Sequence, residues 1–203
     1  MKNLLKQIIG TGTLFFLGTL FSFSQIQVGG VVGINSSTQS ELGNIYNNDG
    51  IYCNLNAGLV SQYKFNDWFA LKANVLYSQK GRSFNSCENG VETNRTDKFS
   101  YLEIPVKAEF STPLGKQKLF AAVGPYCDFL IDSKKVVNNI TASLNDQTKS
   151  ADYGVAMEMG IELPVANHAF QFSLNYDMGL SKIADYDTDL RNKTLSLNVS
   201  WLF

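Results

Sequence analysis

The chain of 203 residues has one histidine, three cysteines and four prolines. A single histidine leaves no room for a cluster of histidine and cysteine ligands around zinc. Three cysteines cannot build a disulfide-dense scaffold. Charged side chains make up 17% of the chain, below the ~25% of an ordinary soluble domain. Neither sign prevails: 17 basic and 18 acidic residues leave a formal charge of −1. A nucleic-acid binder needs a basic stripe, so nucleic acid is excluded as a partner. After the first 24 residues, charged or amide side chains interrupt every apolar run within a few residues. No later segment can therefore cross a bilayer as a helix, which needs about 20 apolar residues. Disorder is excluded too, because the chain carries 14 Phe, 9 Tyr and 2 Trp.

Met1 to Ser24 reads as a secretory signal. Lys2 and Lys6 give the positive start, and Ile8 to Phe23 is uncharged and apolar. Ser22 and Ser24 place small residues before a cut at Gln25. The apolar stretch is too short for a spanning anchor. The expected organisation is a signal peptide over 1–24 and one domain over 25–203. Loss of Lys2 and Lys6 takes the formal charge to −3.

The mature chain alternates with period two. Leu195, Leu197, Val199, Trp201 and Phe203 share one face, while Thr194, Ser196, Asn198 and Ser200 share the other. Helical spacing of three and four is absent there. Phe170–Leu180, Tyr153–Leu163 and Leu102–Phe110 repeat the pattern, and Ile26–Ile34, Cys53–Tyr63, Trp68–Phe84 and Lys118–Ile131 follow it more loosely. The count is eight strands. They run about 9 to 14 residues and longer, against the five or six typical of soluble strands and the ~9–11 of a tilted membrane strand.

Tight connections at Lys64–Asp67, Thr112–Gln117 and Pro164–His168 alternate with long polar ones at Asn35–Tyr52, Asn85–Lys98, Asp132–Ser150 and Ser181–Arg191. Membrane barrels have short periplasmic turns and long outer loops, with apolar residues facing lipid and polar ones inside. The expected fold is all-β: an eight-stranded, antiparallel, up-and-down transmembrane β-barrel. Aromatics fall near both predicted ends: Trp68, Phe69, Phe110, Phe170, Trp201 and Phe203 at the turns, and Tyr52, Tyr77, Phe84, Phe99, Tyr101, Tyr126, Phe129 and Tyr153 near the loops. Aromatic girdles lie at such interfaces. Strand propensity alone also enriches aromatics.

By parity, Lys72, Lys80, Glu103, Lys107, Glu109, Glu158, Glu162 and Asp177 fall on the polar face among Gly, Ala, Ser and Asn. They either form an ionic network filling the lumen or sit solvated near a rim. An eight-stranded barrel has room inside for side chains alone, which disfavours an open, porin-like pore. Pro105 removes a ladder donor and calls for a bulge or bend.

Other chemistry is sparse. His168 lies in a predicted turn, away from the outer rim where a serine hydrolase would need it. No enzyme activity and no cofactor are expected. Asp185-Tyr186-Asp187-Thr188-Asp189 begins like a calcium loop, but Leu190 stands where glycine is needed and Ser196 where glutamate is needed. A solvated acidic loop is the better reading. Cys53 and Cys87 are candidates for a disulfide in an oxidising compartment, leaving Cys127 unpaired. The sequons at Asn94 and Asn139 are expected by chance in an Asn-rich chain and carry no weight.

Asn74-Val75-Leu76-Tyr77-Ser78-Gln79-Lys80-Gly81, followed by Tyr101-Leu102-Glu103-Ile104-Pro105-Val106, resembles the PorT-like family of outer-membrane β-barrel proteins of Gram-negative bacteria. The resemblance implies an outer-membrane location, with lipid and envelope or secretion-complex proteins as partners. Val199, Trp201 and Phe203 are similar to the C-terminal signal read by the barrel assembly machinery. A monomeric barrel acting through its outer loops or periplasmic rim, in an envelope-scaffold, adhesion or secretion-associated role, is the expectation. A secreted lipocalin-like barrel holding a small ligand is the alternative, and requires apolar residues to face inward.

Overall fold

The structure, a computed structural model, describes residues 25–40, 52–88, 91–137, 140–143, 148–166, 168–182 and 191–203. The expected signal peptide and the acidic segment Asp185–Asp189 lie outside the described residues.

Among the described residues nine strands follow in chain order: β1 Ile26–Ser40, β2 Tyr52–Lys64, β3 Phe69–Glu88, β4 Val91–Leu114, β5 Gln117–Val137, β6 Ile140–Ser143, β7 Ala151–Val165, β8 His168–Gly179 and β9 Arg191–Leu202. All pairs are antiparallel, and β9 returns to β1, so the eight long strands close into a barrel. Among the described residues the short β6 pairs only with the outer end of β5. At the seam the Val28 N–H donates to the Phe203 carbonyl at 3.1 Å, and the Phe203 N–H returns the bond to Val28 at 2.8 Å.

Period two sets the faces. In β9, Asn192, Thr194, Ser196, Asn198 and Ser200 are buried, while Leu195, Leu197, Val199 and Trp201 are exposed. Val32, Leu59 and Met159 are at least 60% exposed on the outer wall. An apolar exterior of this kind is a lipid surface. The interior is largely polar, with a small apolar group of Val31, Val60, Leu76, Ala169 and Leu202 and the buried rings of Phe99, Tyr101, Phe120 and Tyr126. A lipocalin-like barrel needs the reverse arrangement.

Three tight turns close one end. Asn66 Oδ1 accepts from the Trp68 and Phe69 N–H groups at 3.1 and 2.8 Å, fixing the first. Gly115, with φ +65°, opens the two-residue turn between Leu114 and Gln117. Glycine first in such a turn matches the twist of the strands it joins. Ala166, with φ 54°, takes the equivalent place between Val165 and His168.

The outer end departs from expectation. Of the segment Asn85–Lys98, expected as a loop, residues 85–88 and 91–98 are strand: β3 and β4 stay paired to Glu88↔Val91. Part of the expected loop Asp132–Ser150 is likewise strand, with β5 running to Val137 and β6 folding back along it. Above the lipid both faces of a strand meet water, so the apolar half of the alternation disappears and the sequence signal with it. The only shift in the β4–β5 ladder falls between Ser100 and Tyr101, not at Pro105. Pro105 is instead passed by a gap in the β3–β4 ladder between Ala73↔Val106 and Leu76↔Glu103, with the register unchanged. The missing pairs leave the absent proline donor without a ladder partner to satisfy.

Candidate functional site

The lumen gathers all eight charged residues marked by parity, each no more than 5% exposed. They form two groups. In the lower one, Lys72 Nζ lies 2.7 Å from Glu158 Oε1 and 3.7 Å from Glu109 Oε2. Lys107 Nζ binds Glu158 Oε2 and donates to Asn175 Oδ1 at 3.2 Å. Gln62 donates to Glu109 at 2.5 Å, and Gln171 to Glu162 at 2.9 Å. Half-buried Lys64 reaches Glu162 at 3.4 Å from the turn end.

In the upper group one lysine serves three carboxylates. Lys80 Nζ stands 2.8 Å from Asp128, 3.0 Å from Glu103 and 3.9 Å from Asp177. Asp152 is held by the Ser181 hydroxyl and by Asn192 Nδ2, the latter at 2.8 Å. Above them Arg82 and Arg95 converge on buried Asp97 at 3.3 and 2.8 Å.

The walls make room for these groups in a repeated way. Lys72 Nζ sits 4.8 Å over the Phe120 ring, and Lys80 Nζ 4.8 Å over the Tyr126 ring. Phe120 is directly opposite Gly160, and Tyr126 directly opposite Gly154. A Cβ on Gly160 would stand 2.8 Å from Phe120 Cζ, and one on Gly154 2.7 Å from Tyr126 Cε1. These two rings of β5 thus lie where glycines of β7 have no side chain, and a lysine of β3 caps each.

Toward the mouth, side chains of β1 reach the backbone of β3. β2 and β3 are ladder partners only as far as Asn56↔Ser78. Beyond that point β3 meets lumen-facing side chains of β1. Asn35 Nδ2 donates to the Gln79 carbonyl at 3.1 Å. Ser37 Oγ donates to the Gly81 carbonyl at 3.0 Å and accepts from the Gly81 N–H at 2.8 Å. Phe99, Tyr101 and Tyr126, expected in the outer girdle, are buried inside the lumen instead. Their aromatic character fits either face, and only the strand register separates the two. Tyr77, Phe129 and Tyr153 do face outward, each more than 40% exposed.

At the turn end the rings of Tyr63, Phe65, Phe69, Trp68 and Phe110 form a continuous outer chain with centroid spacings of 4.7 to 6.1 Å. Trp201 stacks on Phe170 at 5.9 Å and meets Phe203 edge-on at 6.0 Å. His168 packs edge-on to Trp201 at 5.8 Å.

The expected Cys53–Cys87 disulfide is not formed: Cys53 is a free, exposed thiol. Cys87 lies nine residues past Ser78, the last β3 partner of β2, about 30 Å of strand. Cys127 is also free. Among the described residues, no three His, Cys, Asp or Glu side chains converge as a metal site.

Sequence reasoning missed Asp128, Asp152, Gln62 and Gln171. Asp128 shares its face with Phe120, Ala122 and Tyr126, so the inward side of β5 reads as apolar as the outward side.

No curated protein sequence matches the chain. Among solved structures it is similar to Neisserial surface protein A, at 13% identity over 88% of this chain and 97% of that one, with a TM-score of 0.53. It is also similar to Ail, the attachment invasion locus protein of Yersinia pestis, at 18% identity over 87% and 98%, TM-score 0.44. OprG from Pseudomonas aeruginosa matches at 11% identity over 88% and 95%, TM-score 0.47. Residues 20–185 match the family described as outer membrane protein beta-barrel domain, and the chain, with its closed eight-stranded wall, belongs to that family and resides in the outer membrane.

Proposed function

We propose that this protein is a non-conducting, non-catalytic outer-membrane barrel that acts by binding other envelope proteins through its outer sheet. The observation that carries the reading is the contrast between a filled lumen and an extended outer end. β3, β4 and β5 run 20, 24 and 21 residues, while β8 and β9 stop at 12. The added length builds a sheet on one side of the mouth, with β6 at its edge. Ile140 on β6 is 74% exposed, and exposed sheet edges are templates for strand addition.

The resemblance of Tyr77–Gly81 and Tyr101–Val106 to PorT-like proteins supports a secretion-associated or scaffolding partner over a free ligand. The same reading has the barrel assembly machinery recognising Val199, Trp201 and Phe203. The test replaces 85–94 with a two-residue turn. The variant is expected to reach the outer membrane and shift on heating as the parent does, while losing the protein adducts that a crosslinker at Lys98 traps in the parent. Parent and variant giving the same adducts, or a steady conductance from the parent in planar bilayers, would count against the reading.

A further inference from the structure

Between the two charge groups the lumen keeps a cavity of about 10 Å³, walled in part by Asn56, Asn74, Glu103, Lys107, Asp177 and Ser196. That volume holds one water-sized particle. Its lining is short of partners. Asp177 is 5% exposed, takes no hydrogen bond from any described residue, and has Lys80 at 3.9 Å as its nearest ammonium. Lys80 is closer to both Asp128 and Glu103. Asn74 is buried, and its Oδ1 has no donor. Asn56 spends its amide on Asn35 and Asn198, at 2.5 and 3.0 Å, and its Oδ1 receives nothing. Buried polar oxygens without donors are costly, a carboxylate most of all.

The charge balance points the same way. Lys72, Lys80, Lys107 and half-buried Lys64 face Glu103, Glu109, Asp128, Asp152, Glu158, Glu162 and Asp177. With Arg82, Arg95 and Asp97 counted as well, six cations are set against eight carboxylates. A water molecule in the cavity would satisfy two oxygens and leave that excess untouched.

We propose that the cavity binds one monovalent cation of sodium size, held by the carboxylates of Asp177 and Glu103 and the carboxamide oxygens of Asn56 and Asn74. All four are hard oxygen donors, the kind that alkali and alkaline-earth cations take. A single charge is specified because Lys107 already places an ammonium on the same wall, and because two carboxylates are too few for a divalent site built from protein alone. The cation completes the electrostatic closure of the mid-lumen and ties β2, β3, β4 and β8 together there.

The test uses the full mature chain refolded in detergent. Urea unfolding is followed in sodium chloride and in N-methyl-D-glucamine chloride at equal ionic strength and pH. Sodium at ten times its dissociation constant is expected to lower the unfolding equilibrium constant about tenfold, along a saturating curve. Asp177→Asn is expected to abolish the sodium increment, and Asp132→Asn, on a half-buried residue of the outer part of β5 that pairs with Lys134, to keep it. If Asp177→Asn does not refold, Asn74→Ala takes its place with the same expectation. Equal stability in the two salts, an increment that survives loss of the Asp177 carboxylate, or stability indifferent to sodium that climbs as pH falls, the signature of protons in that role, would each overturn the proposal.

Discussion

Lys72 and Lys107 are direct cross-strand neighbours on β3 and β4, and Glu158 of β7 gives one carboxylate oxygen to each. Two like charges opposite one another in a sheet repel. Here the repulsion is converted into a clamp, because the single carboxylate needs both ammonium groups and both need it. Loss of the Glu158 carboxylate therefore deprives both ammonium groups of their shared counter-ion.

Replacing Glu158 by Gln keeps the shape and removes the charge. The variant should lose about 3–5 kcal/mol of unfolding free energy, the cost of breaking a buried pair from one side. Urea titration of the refolded barrel measures it. A loss below about 1 kcal/mol is the value for solvated ions, and would mean that water fills the lower lumen.

The glycines of β7 give a second prediction. Gly154→Ala and Gly160→Ala should each cost about 1–3 kcal/mol, the usual penalty of overpacking. The added Cβ would press on Tyr126 or Phe120 and on the backbone carbonyls of Met178 or Phe172. Gly30→Ala is the internal reference, since nothing lies within 4 Å of that position. Unfolding midpoints of the three variants, compared side by side, check the order.

How much of this was legible in the chain depends on where the alternation is driven by lipid. β9 could be read almost residue by residue, because every second position must be apolar to meet the bilayer and the residues between line a wet lumen. The short turns were legible for a related reason, since Gly115 and the segment around Asn66 carry turn chemistry. The outer parts of β3, β4 and β5 were not, because a strand with water on both faces has no apolar period. The lysines and glutamates of the lumen were found by parity alone. Asp128 and Tyr126 were hidden by the aromatic inner face of β5. The reach of Asn35 and Ser37 to the β3 backbone leaves no mark in the sequence, because both residues look like ordinary polar lumen positions.

The seam makes a third prediction. Val28 and Phe203 exchange both backbone hydrogen bonds, and the Phe203 ring packs on Trp201. Deleting Phe203 removes the last pair of the β1–β9 closure and the ring together. Phe203→Ala removes the ring and keeps the backbone pair. The fraction of heat-shifting barrel in unboiled gels should fall in the order parent, Phe203→Ala, deletion. Equal fractions in all three would show that the seam closes without this residue.

The cysteines give a fourth. With Cys53 and Cys127 free and Cys87 far along β3, denaturation without reductant should expose three reactive thiols. Mobility on gels should be the same with and without reductant. A count of one thiol would restore the disulfide.

The central claim is that the apolar half of each strand faces lipid and the charged half fills the barrel. Spin labels at Val32, Leu59 and Leu197, with the protein in phospholipid bilayers, test it most directly. The predicted result is collision with dissolved oxygen far above collision with a water-soluble nickel chelate at all three sites. Preferential collision with the chelate there would contradict the membrane barrel.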